Sequence, residues 1–163
     1  MNTEDELITQ MRAALRYEPT TGVVKWSDYG PKKMANKTAG NTRKDGYSDI
    51  KFQNKAYLKH RLIWALVYGK FPATFIDHIN GNRSDNRIVN LREVTKTSNN
   101  QNQRRPHKNN NIGLLGVSKN LHKWSARIQI SGMQIFLGNF DTPELAHDAY
   151  LIAKRKHHES CTI

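Results

Sequence analysis

Cysteine is almost absent from this chain: Cys161 is the only one. Neither a disulfide framework nor a cysteine-based zinc site can be assembled from it, and a reducing cytoplasm is the expected compartment. Long apolar runs are also missing. None reaches the ~20 residues that span a bilayer, and residues 1–10 are polar and acidic, without the apolar core of a signal peptide. Hydrophobic residues make up 37% of the 163, enough for small cores but not a large one, so one ordinary domain or two small ones are expected. The third scarcity is negative charge. Lys and Arg total 26 against 14 Asp and Glu, a net +12. No acid falls between Glu93 and Asp141, a stretch that holds Lys96, Arg104, Arg105, Lys108, Lys119, Lys123 and Arg127. Such a tract can follow a phosphate backbone without repelling it. Nucleic acid is the partner this balance points to, a ribosomal-type basic protein being the plainer reading.

Residues 4–16 read as a short amphipathic helix, with Leu7, Ile8, Met11 and Leu15 on one side. A turn-rich β region follows: Thr21-Gly22 before a strand at 23–26, Asp45-Gly46 before one at 47–52, and 55–58 able to pair back across Gln53-Asn54. Residues 58–68 are helical in pattern, stopped by Gly69 and Pro72. Strands are expected at 75–79 and 88–94 around a polar loop, then a short helix at 97–103. Residues 104–111 are polar, basic and broken by Pro106, the makeup of a linker. Beyond it Trp124, Ala126, Ile128 and Ile130 alternate with polar residues, and Met133, Ile135 and Leu137 repeat that spacing, which is the period of a strand. Thr142-Pro143-Glu144 opens a final helix with a capping hydroxyl, a proline and an acid. Its stripe is Leu145, Ala146, Ala149, Tyr150 and Ala153. His147, His157 and His158 read as surface residues of that helix.

The chemistry concentrates at Asp77-His78, followed by Asn80, Asn82, Asn90-Leu91-Arg92 and Ser98-Asn99-Asn100. A carboxylate holds a hard cation through oxygen, and an imidazole takes a proton from water near neutral pH, the pair of functions that phosphodiester hydrolysis needs. The segment resembles the HNH endonucleases of the phage and intron-encoded homing type. The likeness extends to residues 17–26, Asp45-Gly46-Tyr47, His60-Arg61-Leu62-Ile63-Trp64 and Gly69-Lys70-Phe71-Pro72, and covers about residues 13–103. It implies a ββα-metal fold in which Asp77 is a metal ligand, His78 the general base, and Asn90 a brace of the loop that helps orient the His78 ring. Asn99 would supply the second ligand, with Asn102 as the alternative. The implied ion is a single Mg²⁺, or Mn²⁺, between the scissile phosphate and the departing 3′ oxygen, giving 5′-phosphate and 3′-hydroxyl ends. His60 reads as a packing or phosphate-contact residue beside Arg61.

Gly116-Val117, residues 124–128, 137–140, 142–144 and 146–150 resemble, in that order, the DNA-binding domain of plant ethylene-response (APETALA-type) transcription factors, over about residues 113–158. That implies a three-stranded antiparallel sheet backed by one helix, with the sheet in the major groove. The alternation would turn Trp124, Ala126 and Ile128 to the helix and Arg127 and Gln129 outward, flanked by Lys119 and Lys123.

The expected class is therefore α+β. A nuclease domain occupies 1–106, with an N-terminal β-rich extension and a ββα-metal core at about 74–104. A linker follows at 107–112 and a sheet-plus-helix domain at 113–163. The expected activity is metal-dependent cleavage of double-stranded DNA by a phage homing or free-standing enzyme, a monomer in the host cytoplasm. A non-catalytic DNA-binding regulator that has kept the nuclease fold is the competing reading. DNA contacts are expected from His60, Arg61, Arg104, Arg105, Lys108, Lys119, Lys123, Arg127 and Gln129.

Overall fold

The structure is a computed structural model and describes residues 3–102, 106 and 109–158. The chain forms two compact units, Met1–Thr95 and Lys96–Ile163, each of mixed α and β structure with small antiparallel sheets.

In the first unit α1 spans Thr3–Ala14, with Glu4, Asp5 and Glu6 in its first turn and Arg12 in its last, charges that suit the helix dipole. It buries Ile8, Met11 and Ala14. The apolar spacing suggested a helix to residue 16, but the chain leaves it at Leu15. Leu15–Glu18 forms β1, paired antiparallel with β2, Val23–Trp26, and Leu15 stands opposite Trp26. Leu15 fits a helical stripe and a strand equally well, and a partner distant in sequence decides between them. A second sheet runs β3 (Asn41–Thr42), β4 (Ser48–Phe52), β5 (Lys55–Leu58). Gln53 and Asn54 join the last two with φ of 47° and 63°, the doubly left-handed turn that matches strand twist. Helix α2, Lys59–Tyr68, follows at once and stops at Gly69, whose φ of 74° lets its N–H reach the Ala65 carbonyl at 2.9 Å.

Strands β6 (Phe75–His78) and β7 (Leu91–Val94) pair antiparallel. Residues 88–90, expected as strand, make a 3-10 turn ahead of β7. Met11, Val24, Ile50, Leu62 and Ile63 are fully enclosed, and Ile76 and Leu91 carry the β6–β7 pair into the same core. Each such side chain contributes about 1.5–3 kcal/mol by leaving water. Residues on either side of Ile76 thereby acquire a fixed frame.

The second unit begins with α3, Lys96–Gln101. The sequence grouped this helix with the two preceding strands and placed the join at 107–112. By compactness the division falls at Thr95, and most of residues 103–108 lie outside the described ones. Strands β8 (Val117–Asn120), β9 (Lys123–Ile130) and β10 (Met133–Phe140) form one antiparallel sheet in that order, followed by α4, Pro143–His157. The Thr142 hydroxyl accepts from Leu145 N at 3.3 Å, the cap that the Thr-Pro-Glu motif announced. The core is small: Val117, Ala126 and Ala146, with Trp124, Leu137 and Phe140 packed on it. Gly116 has φ 74°, and a Cβ there would lie 2.0 Å from the Tyr150 ring, so only glycine allows that approach.

The histidines of α4 need correction. His158 is buried, with Nε2 2.9 Å from the Gln129 carbonyl, and half-buried His147 meets the Leu115 carbonyl through Nδ1 at 2.9 Å. His157 is exposed as expected. The helical period did turn His147 and His158 inward. One ring nitrogen of each meets a backbone carbonyl there, which offsets part of the cost of burial, while His158 Nδ1 is buried without a hydrogen-bond partner among the described residues.

Candidate active site

The pleat of β6 sorts its side chains. Ile76 and His78 share one face, and Ile76 anchors that face in the core, so His78 points into the first unit and is only 3% exposed. Asp77 takes the other face and is also buried. Arg92 stands opposite Asp77 in the β6–β7 register, and its Nε and Nη2 both donate to Asp77 Oδ2, at 3.1 and 2.9 Å. The fork engages one carboxylate oxygen of the two and fixes the plane of the group.

The rings of His60 and Tyr47 meet His78. His60, from the first turn of α2, stands edge-on at a centroid distance of 5.2 Å. Tyr47 contacts both, 5.2 Å from His60 and 6.0 Å from His78, and the Arg83 guanidinium covers the Tyr47 ring at 4.6 Å. A further partner is Asn86, whose Oδ1 lies 3.3 Å from His78 Nε2. Burial pushes the His78 pKa below its ordinary value, against the opposing pull of the Asn86 hydrogen bond and the nearby Asp77 and Asp85 charges. Burial first, then His78 and Arg61, lower His60 to about 3. Two neutral imidazoles in contact are the result near neutral pH.

The loop of residues 79–90 is tied by its own polar side chains. Asn90 Oδ1 accepts from Asn80 N at 2.9 Å, and its Nδ2 donates to the Asp85 carbonyl at 2.8 Å. The Ile79 N–H donates to the Asn90 carbonyl at 2.9 Å. Asp85 accepts from Asn80 Nδ2 at 2.8 Å and from the Arg87 guanidinium at 2.8 and 2.6 Å; that pairing drives its carboxyl well below the usual range. Asn90 thus spans the loop as a brace, while the side chain seen at the ring is that of Asn86. Sequence reasoning passed over Asn86, Tyr47 and Arg83. Tyr47 stood within the Asp45-Gly46-Tyr47 motif, but a lone asparagine in an asparagine-rich loop carries no distinguishing signal.

Other expected residues fall in varied surroundings. Asn99 lies half-buried on α3 in the second unit, and Asn102, just beyond that helix, is buried. His60 is 5% exposed, which makes it a packing residue rather than a phosphate contact. The Arg61 guanidinium donates to the Thr74 and Pro72 carbonyls at 2.6 and 2.9 Å, so it fastens the chain leading into β6. Arg104, Arg105 and Lys108 lie outside the described residues. Arg127 and Gln129 are exposed on the face of β9 away from buried Ala126 and Ile128; Arg127 covers the exposed Phe136 ring at 6.0 Å. Lys123 pairs with Asp141 at 3.1 Å. The register sets Lys119 opposite Trp124, on the other face from Arg127, with its Nζ 6.0 Å from the indole.

No group of three or more His, Cys, Asp or Glu side chains that could hold a metal gathers among the described residues. Asp77, an oriented carboxylate at a strand end, offers the oxygen donor that a hard cation takes. No helix among the described residues is long and apolar enough to cross a membrane.

Comparison with known proteins meets this geometry at the same residues. A family model described as HNH endonuclease matches residues 57–101, which take in β6, the loop, β7 and α3. Protein 3.8 of Escherichia phage T7 is 30% identical over 106 residues, 63% of this chain and 87% of that protein. No solved structure matches. The chain belongs to the family of this phage protein and carries an HNH endonuclease family domain at residues 57–101.

Proposed function

We propose that the protein is a metal-dependent endonuclease that hydrolyses phosphodiester bonds of double-stranded DNA, with His78 as general base. The observation that carries this reading is the state of His78. It is buried in the matched segment, its burial favours the neutral ring, and it stands next to the oriented carboxylate of Asp77. A base has to be unprotonated at working pH, and an imidazole whose burial favours the neutral ring meets that need.

His78 takes a proton from water as the water oxygen bonds to phosphorus in line with the departing 3′ oxygen. The P–O3′ bond breaks, leaving a 5′-phosphate and a 3′-hydroxyl protonated from solvent. Asp77 and Asn99, or Asn102 in its place, would hold one divalent cation, Mg²⁺ before Mn²⁺, which when bound supplies positive charge to the phosphate oxygens. Arg92 keeps Asp77 in place for that task, and Asn90 keeps the loop from collapsing over the water. The ββα-metal grouping of β6, β7 and α3 belongs to this proposal.

The second unit would hold DNA. Its three-stranded antiparallel sheet, followed by helix α4, is the support for that reading. The outward face of β9 offers Arg127 and Gln129 with no acid on that strand. The phage relative supports a phage-encoded enzyme acting in the host cytoplasm; a monomeric state is part of the same proposal. The test is plasmid cleavage by the full chain in Mg²⁺ and in EDTA, beside His78→Ala. Cutting in Mg²⁺ alone, lost in the variant, is expected. Equal cutting by the variant, or none by the native chain, overturns the reading.

A further inference from the structure

We infer that Asn86 selects which nitrogen of His78 is basic, acting as a positioning residue whose own place is set by the N-terminal β1–β2 hairpin. The inference rests on the reading of His78 as general base.

Donors and acceptors set the orientation of the Asn86 amide. An asparagine amide has one oxygen, which only accepts, and one NH₂, which only donates. The Asn86 Nδ2 donates to the Ser84 carbonyl at 3.1 Å. Turning the amide over would set its oxygen against that carbonyl, so its orientation is decided. Oδ1 then faces His78 Nε2 at 3.3 Å. Because the oxygen cannot donate, Nε2 must carry hydrogen. A neutral imidazole carries one, so the lone pair resides on Nδ1. Water attacked through the other tautomer would meet an N–H and could give up nothing to it.

Asn86 can impose this choice because it is itself immobile. It is 3% exposed. The Tyr17 hydroxyl, on β1, donates to the Asn86 carbonyl at 3.1 Å and accepts from Ile88 N at 2.8 Å, clamping the backbone on both sides of Arg87. Gly22, in the turn to β2, has φ 73°, and a Cβ there would lie 2.7 Å from Asn86 C and 2.6 Å from Arg87 N. The hairpin therefore lies backbone against backbone on the residue that touches the ring. It is outside residues 57–101, so the matched segment does not contain its own support. Tyr47 and His60 hold the plane of the ring, and Asn86 decides what its edge presents.

A long-range ¹⁵N–¹H correlation spectrum of the histidine rings, on the full chain at a pH where His78 is neutral, reads the tautomer without DNA or metal. A pyrrole-like Nε2 and a pyridine-like Nδ1 are expected. The reverse pattern, or an averaged one, overturns the inference. In Asn86→Leu the two nitrogens should average, and kcat for DNA cleavage should fall about tenfold or more with KM held within about twofold. Asn86→Asp keeps an acceptor at that point; its charge should shift the acid limb of the pH–rate profile upward, and above that limb it should recover most of the loss. A folded Asn86→Leu protein with native kcat, or Asn86→Asp no better than Asn86→Leu, also overturns it. If the native chain shows the expected tautomer yet cuts no DNA, the endonuclease reading fails while the hold of Asn86 on the ring stands.

Discussion

The first unit encloses Met11, Val24, Ile50, Leu62 and Ile63 completely, whereas the second is centred on Val117 and two alanines and leaves Leu121, Met133 and Phe136 open to solvent. The polar residues differ in the same sense. His78, Asn86 and Asn90 are buried and tied to backbone or to one another, while Arg127 and Gln129 are exposed on an open strand face. A deep core lets one unit fix atoms for a single reaction geometry. A shallow one is sufficient to present side chains that settle against a partner.

Removing the chemistry should have the largest effect on this contrast. His78→Ala should lower cleavage by about 10²-fold or more while DNA affinity in a gel-shift titration stays native, since the base acts on water rather than on the bound duplex. Next come the two cores. Ile63→Ala should cost about 2–5 kcal/mol, the range for emptying a filled site. Gly116→Ala should cost about 1–3 kcal/mol through its positive φ and the Tyr150 ring. Amide hydrogen exchange, residue by residue, would separate the two. Equal loss of protection from both would mean the second core is deeper than its contacts suggest.

A smaller effect is expected from pH. His60 has its pKa lowered from 6.5 to about 3 in the folded chain, so between those values the unfolded chain binds the proton and the folded one does not. Its stabilising contribution is complete above 6.5 and drains away as pH falls toward 3. Thermal melts should therefore drop on acidification, beginning above the range near 4 where carboxylates titrate. His60→Phe should flatten that limb; an unchanged slope would assign it to other groups. The least effect is expected from Arg127→Ala, which should reduce the slope of log affinity against log salt by about 0.9, one phosphate contact. No change would remove the β9 face from DNA binding.

Much of the frame could be read from residue order alone. The period of two at 124–130, the Gly69 stop and the Thr142 cap are local signals with local causes, and each appears where its chemistry places it. What escaped depended on partners far apart in the chain. Strand β1 exists because Trp26 pairs with Leu15. Strand β8 is Val-Ser-Lys-Asn, with no alternation of its own; only the resemblance, with its three-stranded sheet, implied it, and it rests on β9. Within the site Asp77 and His78 announced themselves as an acid beside an imidazole. Asn86 and Arg83 did not, because their roles come from what they touch rather than from what they are.

The contact of Gly22 with the Asn86 backbone also bears on engineering. A loop graft, affinity tag or dye at the β1–β2 turn would press directly on the residue that touches the His78 ring and should be registered there. The β9–β10 turn offers the opposite case: a Cβ at Gly132 meets nothing within 4 Å. A reporter inserted at that second tip with Gly132 kept, since its φ of 84° favours glycine, would be carried by the second unit rather than by the residues around the His78 ring, and would instead report on the neighbouring β9 face.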